Sequence, residues 1–118
     1  MPIEKLLIAN RGEIAVRIAR AAGDLGISSV ATFSSDDHLS LHTQVSDDSV
    51  GLEGSGAAAY LDIGQIVAVA ISHGCDAVHP GYGFLAENAD LARALENEGI
   101  TFVGPLSDQL ALFGNKLS

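Results

Sequence analysis

The side chains best placed for recognition chemistry gather in HPGYGFLAENA, residues 79–89. An apolar run stops at Pro80, and Gly81 and Gly83 bracket Tyr82, so the backbone can turn on both sides of an aromatic residue that it presents. His79 stands before Pro80 at the end of a strand-like run. It either faces a crevice or is satisfied by a loop carbonyl. Glu87 and Asn88 are placed to brace the glycine turn or to cap the next helix. A second stretch, ANRGEIA, occupies residues 9–15, in the turn after the first apolar run, where an open parallel sheet places ligand groups. Asn10 and Arg11 carry donors for an anion at a helix start, whereas Glu13 already complements the helix dipole and opposes a phosphate. The other reading is that Asn10 and Arg11 tie loops together. Lys116, after Gly114 and Asn115, is either a solvated side chain or a group that reaches a nucleotide phosphate in a neighbouring domain.

Other patterns carry less. Gly54-Ser55-Gly56-Ala57-Ala58-Ala59 fits the G-x-G-x-x-G/A dinucleotide fingerprint, but that fingerprint belongs to the turn after the first strand. This copy follows a later strand and is separated from its helix by residues 60–62, so it reads as a flexible loop. His38, His42, His73 and His79 show no metal-binding spacing. The lone Cys75 reads as a small core residue that begins a strand. There is no Walker loop, Ser-His-Asp set or CxxC pair, so the residues alone leave the function open.

The elements that must position these residues alternate. LLIAN, SSVATF, DSVGLE, DAVHP and TFVG read as strands, and EIAVRIARAAGDLG, DIGQIVAVAISHG and NADLARALENEG as helices, which is the rhythm of βαβ units. Gly26, Gly74 and Gly99 each sit where a C-terminal glycine cap belongs and each precedes a β-prone run, so a parallel sheet is expected. In the first helix Ile14, Ile18 and Leu25 with Ala15, Ala19 and Ala22 make the apolar face, and Glu13, Arg17, Arg20 and Asp24 the opposite one. Residues 34–49 read as a loop with a short helix and a mostly solvated charge, and Ser107 or Asp108 as the cap of a further helix. The fold class expected is α/β: a Rossmann-like three-layer domain with a parallel sheet of about five strands. Residues 1–104 form this domain in that reading, and residues 105–118 lead elsewhere.

A chain of 118 residues, 47% hydrophobic, is in the size range of one domain with one core. With 6 basic and 15 acidic residues its formal charge is −9, so no electrostatic grip on nucleic acid or an anionic membrane is expected. A phosphate ligand has to be held by a few local donors or by basic residues of another domain. The first residues are too short an apolar run for a signal peptide, and no stretch is long and uncharged enough for a membrane span. A cytoplasmic location is therefore expected.

Three motifs in order, ANRGEIA, HPGYGFLAENA and GNK, resemble the ANRGEIA, HPGYGFLSENA and GDK of the amino-terminal domain of biotin carboxylase. That enzyme is the ATP-dependent component of acetyl-CoA, propionyl-CoA and pyruvate carboxylases. The likeness runs over residues 5–118, and GAAAYLDI, residues 56–63, also looks like a stretch of such carboxylases. Ala86 stands where serine is usual and Asn115 where aspartate is usual, which removes a charge beside Lys116. The resemblance implies a domain that precedes an ATP-grasp domain, within a ligase that uses MgATP and bicarbonate to make carboxyphosphate and carboxylates biotin at N1′. It implies that Lys116 contacts ATP, that Tyr82 and Gly83 border the biotin pocket, and that Arg20 and Asp24 lie near the subunit interface of a homodimer. No catalytic residue and no metal ligand falls within these residues by that likeness. The implied cofactors are ATP, Mg2+ and biotin. The implied partners are the ATP-grasp and C-terminal parts of the same enzyme, a biotin carboxyl carrier domain and a carboxyltransferase. The chain alone is expected to fold without catalysing. Two alternatives keep the fold: another ATP-grasp ligase such as carbamoyl phosphate synthetase, and a non-catalytic binding module.

Overall fold

Short apolar runs form β1 (Lys5–Ile8) and β2 (Ser28–Phe33), joined by α1 (Gly12–Asp24). Next come α2 (Leu41–Val45), β3 (Asp48–Gly51), α3 (Gly56–Tyr60) and α4 (Ile63–Ser72). The series closes with β4 (Ala77–His79), α5 (Ala89–Asn97) and β5 (Thr101–Phe102). In this computed structural model, which describes residues 3–37, 39–81, 85–86 and 88–103, all strand pairs are parallel and the sheet order is β3-β2-β1-β4-β5. The expected α/β domain with a five-stranded parallel sheet is the one observed.

Alternation along β1 assigns the two faces. Leu7 points into a core with Val30, Val78 and Phe102 that Ile66 and Ala70 of α4 and Leu91 and Leu95 of α5 cover. Leu6 and Ile8 point the other way, onto Ala15, Ala19 and Ala22 of α1. Strands covered on both faces carry continuous apolar runs, which is why they are legible as such. The small residues on α1 let it lie close to the sheet. Leu25, expected on that buried face, is instead 76% exposed, because it lies beyond the last helical residue at the C-cap. Ile14 and Ile18 are half-buried and border an apolar groove of about 750 Å³ beside α1, reaching Ile3, Leu6, Ile27 and Val103.

The helix endings follow one pattern. Ile27, Cys75 and Ile100 donate their N–H groups back to Ala22, Ala70 and Leu95 at 2.8, 2.9 and 2.9 Å. Gly26, Gly74 and Gly99 carry the φ of +73°, +66° and +72° that this closure needs. Of residues 54–59, expected as a flexible loop, 56–59 belong with Tyr60 to α3, because the Tyr60 side chain is fully buried and the Gly56 N–H is taken by Asp36. The short helix expected within residues 34–49 is α2, held under the sheet edge by His42, whose Nε2–H donates to the Thr32 carbonyl at 2.9 Å.

Leu7 is fully buried at the centre of the larger core. Leu7→Ala should lower unfolding free energy in urea by about 2–5 kcal/mol. The same truncation at Leu39, 75% exposed, should stay within about 0.5 kcal/mol.

Candidate functional site

The sheet order makes β1 and β4 neighbours whose chains leave in opposite directions, β1 toward β2 and β4 toward β5. A crevice opens at such a switch point, outside the carboxyl ends of the strands. Asn10 and Arg11 stand at the carboxyl end of β1 and His79, Pro80 and Gly81 at that of β4, so the structure brings the two sequence motifs together. Pairing continues past β1, with the Ala9 N–H on the His79 carbonyl at 3.0 Å.

Asn10 is 1% exposed. Its Nδ2 donates to the Pro80 carbonyl at 2.7 Å, and its Oδ1 accepts the Arg11 N–H at 2.8 Å. Gly81 has a φ of +68° and packs directly on these groups. A Cβ there would stand 2.7 Å from Ile14 Cγ2 and 2.8 Å from Asn10 Nδ2, so both its backbone conformation and its surroundings require glycine. The Gly81 N–H donates to His79 Nδ1 at 3.0 Å. A backbone N–H can only donate, so Nδ1 carries the lone pair and a neutral His79 has its proton on Nε2. The ring is thus held by a loop amide rather than by the loop carbonyl expected as one alternative. Burial holds its pKa below the usual 6.5.

Arg11 reaches the other way. Its guanidinium lies 5.8 Å from the centre of the Tyr60 ring, and Nη1 is 3.3 Å from Asp37 Oδ2. The Tyr60 hydroxyl donates to the same Asp37 oxygen at 2.8 Å and accepts the Ser34 N–H at 3.2 Å. Burial, with Asp37 beside it, pushes the Tyr60 hydroxyl up to about 12. Asp36 accepts from the Ser34 hydroxyl and from the Gly56 N–H, and these bonds hold its carboxyl below its usual value. Of the two readings of Asn10 and Arg11, the structure shows the second: both side chains tie loops together. Glu13 is drawn to Arg17 on the solvent face at 2.7 Å.

Asn88 caps α5, its Oδ1 accepting the Leu91 N–H at 2.9 Å. Cys75 is buried, and burial raises its thiol pKa. Arg20 and Asp24 lie exposed on α1. Tyr82, Gly83, Glu87, Ser107, Asp108 and Lys116 lie outside the described residues. The Ser34, Asp37 and Tyr60 network was not read from the sequence. Its one local signal is the tyrosine that ends GAAAY, a polar-tipped ring whose buried hydroxyl needs a partner.

Because burial lowers the His79 pKa, the unfolded chain binds its proton more readily than the folded one. Stability should therefore be full above the unfolded value near 6.5 and fall as pH drops from there toward the lower folded value. Denaturant unfolding at pH 7.5 and 5.5 should show this loss, and His79→Asn should reduce it; an equal loss in the variant would assign it to other groups.

The family described as biotin carboxylase, N-terminal domain, matches residues 2–110. The chain is 53% identical over 116 residues to biotin carboxylase 1 of Bacillus subtilis, covering 97% of this chain and 26% of that protein. It is 51% identical over 117 residues to pyruvate carboxylase of Staphylococcus aureus, covering 98% of this chain and 10% of the other. In structure it is similar to a complete multifunctional pyruvate carboxylase from Rhizobium etli, with a TM-score of 0.93 and 42% identity over 99% of this chain and 12% of that one. The chain thus spans between a tenth and about a quarter of the length of these relatives. With the family match over residues 2–110 and this likeness of sequence and fold, the chain belongs to the biotin carboxylase N-terminal domain family.

Proposed function

We propose that this chain serves as one wall of the active site of a biotin carboxylase, a ligase that uses MgATP and bicarbonate to carboxylate biotin on its carrier domain. The observation that carries the reading is the meeting of ANRGEIA with His79, Pro80 and Gly81 at the β1 and β4 switch point, where Asn10 and Gly81 pack against each other. In this reading Tyr82 and Gly83 border the biotin pocket and Lys116 contacts ATP. Residues 1–104 are the domain and residues 105–118 the connection to an ATP-grasp domain.

The described crevice suits recognition more than phosphoryl transfer. That transfer needs several cations and metal-holding carboxylates around the moving phosphoryl group. Here Arg11 is engaged by Asp37, while Asp36 and Asp37 accept from Ser34, Gly56 and Tyr60, so these side chains do not fit a magnesium site. Magnesium and ATP supply the activation of bicarbonate; apart from the Lys116 contact to ATP they are held by other parts of the longer enzyme, so this chain alone is inactive. The acidic balance of −9 fits a domain that borrows its cations. Arg20 and Asp24, exposed and one helical turn apart, suit the homodimer interface. The apolar groove beside α1 suits packing within a larger assembly. A carrier domain and a carboxyltransferase complete the enzyme, which works in the cytoplasm.

ATP hydrolysis with magnesium and bicarbonate, with free biotin or ammonia added in turn, tests the reading on this chain and on the longer enzyme that contains it. Only the longer enzyme should turn over, with biotin as acceptor. Consumption of ammonia, or indifference to biotin, would remove the biotin assignment.

A further inference from the structure

The Pro80 carbonyl and the Gly81 N–H belong to one peptide unit, and each is held by a different side chain. Asn10 Nδ2 donates to the carbonyl at 2.7 Å, and His79 Nδ1 accepts from the N–H at 3.0 Å. Rotating this unit changes ψ of Pro80 and φ of Gly81 together while the flanking chain stays in place, which is the low-amplitude route by which a turn changes type. Pro80 fixes its own φ, so the orientation of this one unit is the main freedom left to the described turn up to Gly81. Asn10 is itself fixed, because its Oδ1 holds the Arg11 N–H at the start of α1 and its carboxamide is packed under Gly81.

We propose that Asn10 and His79 are positioning residues that clamp the Pro80–Gly81 peptide and so set the border of the biotin pocket. The inference rests on the reading that Tyr82 and Gly83 line that pocket. Neither residue touches the reacting atoms in this account; both act through the peptide unit. Two chemical requirements follow. Position 10 needs a donor toward Pro80 together with an acceptor toward Arg11, which a carboxamide has and a carboxylate lacks. Position 79 needs an acceptor where Nδ1 stands, which an asparagine oxygen supplies and a leucine does not.

The test uses the longer enzyme with free biotin as the varied substrate. Asn10→Asp and His79→Leu should each raise KM for biotin at least tenfold and leave KM for ATP within twofold. His79→Asn should stay within about threefold of the parent for both. Amide exchange of Gly81 should accelerate at least tenfold in Asn10→Asp and His79→Leu and remain slow in His79→Asn, with the Leu7 amide unchanged throughout. If Asn10→Asp fails to fold, the contrast between His79→Leu and His79→Asn decides the matter. Biotin KM within twofold of the parent in His79→Leu, equal rises for biotin and ATP, or no rescue by asparagine would overturn the clamp while leaving the functional reading in place. A parent enzyme that turns over without responding to biotin would overturn the functional reading, and the clamp's role with it.

Discussion

A carboxamide buried between two strand ends governs this domain. Asn10 follows β1, and the peptide it holds follows β4, 70 residues later in the chain. A buried amide that loses its partner costs on the order of 1–3 kcal/mol, so the two turns are held to one arrangement. The glycine at position 81 belongs to the same constraint, since any side chain there would occupy the space of Asn10 and Ile14. The parallel sheet brings the two strand ends side by side, and the small residues of α1 let the helix start close enough for Arg11 to join them.

The Asn10–Arg11 pair works in two directions. The Asn10 arm is short, fully desolvated and directed at the backbone of the β4 turn. The Arg11 arm is long and half-exposed, and it rests on Asp37 in the loop beyond β2 and on Tyr60 at the end of α3. A half-exposed ion pair contributes little by itself. Its partner Asp37, however, also takes the Tyr60 hydroxyl, and that hydroxyl takes the Ser34 N–H. The result is a continuous polar seam across the carboxyl ends of β1, β2 and β3, with the crevice side left to the β4 turn. A seam whose donors and acceptors are used internally fixes the shape of these turns without offering free charge.

Much of this was legible because it is local. The run SSVATF is β2 from its first residue to its last, and the three glycine caps announced three helix ends by the same spacing. The cap at Asn88 was one of two readings and is the one found. What the sequence hid is non-local. Nothing near Tyr60 says that its hydroxyl meets Asp37 and Ser34, 23 and 26 residues away. For that reason a buried tyrosine turned an expected loop into α3. Likewise, Leu25 obeys the helical period and still points to solvent, because the period describes the helix and not where the helix ends on the sheet. Asn10 and Arg11 were seen as donors, but their partners are set by the sheet order, which no local pattern encodes.

The central claim is that one peptide unit is gripped from both sides, and the grip on its N–H can be observed directly. In uniformly 15N-labelled protein, a scalar coupling across the hydrogen bond should connect the Gly81 amide nitrogen with His79 Nδ1. The ring should then show a single neutral form protonated at Nε2. Absence of that coupling together with averaged tautomers of His79 would mean that the peptide is free to turn, and the account of how this domain fixes its crevice would fail.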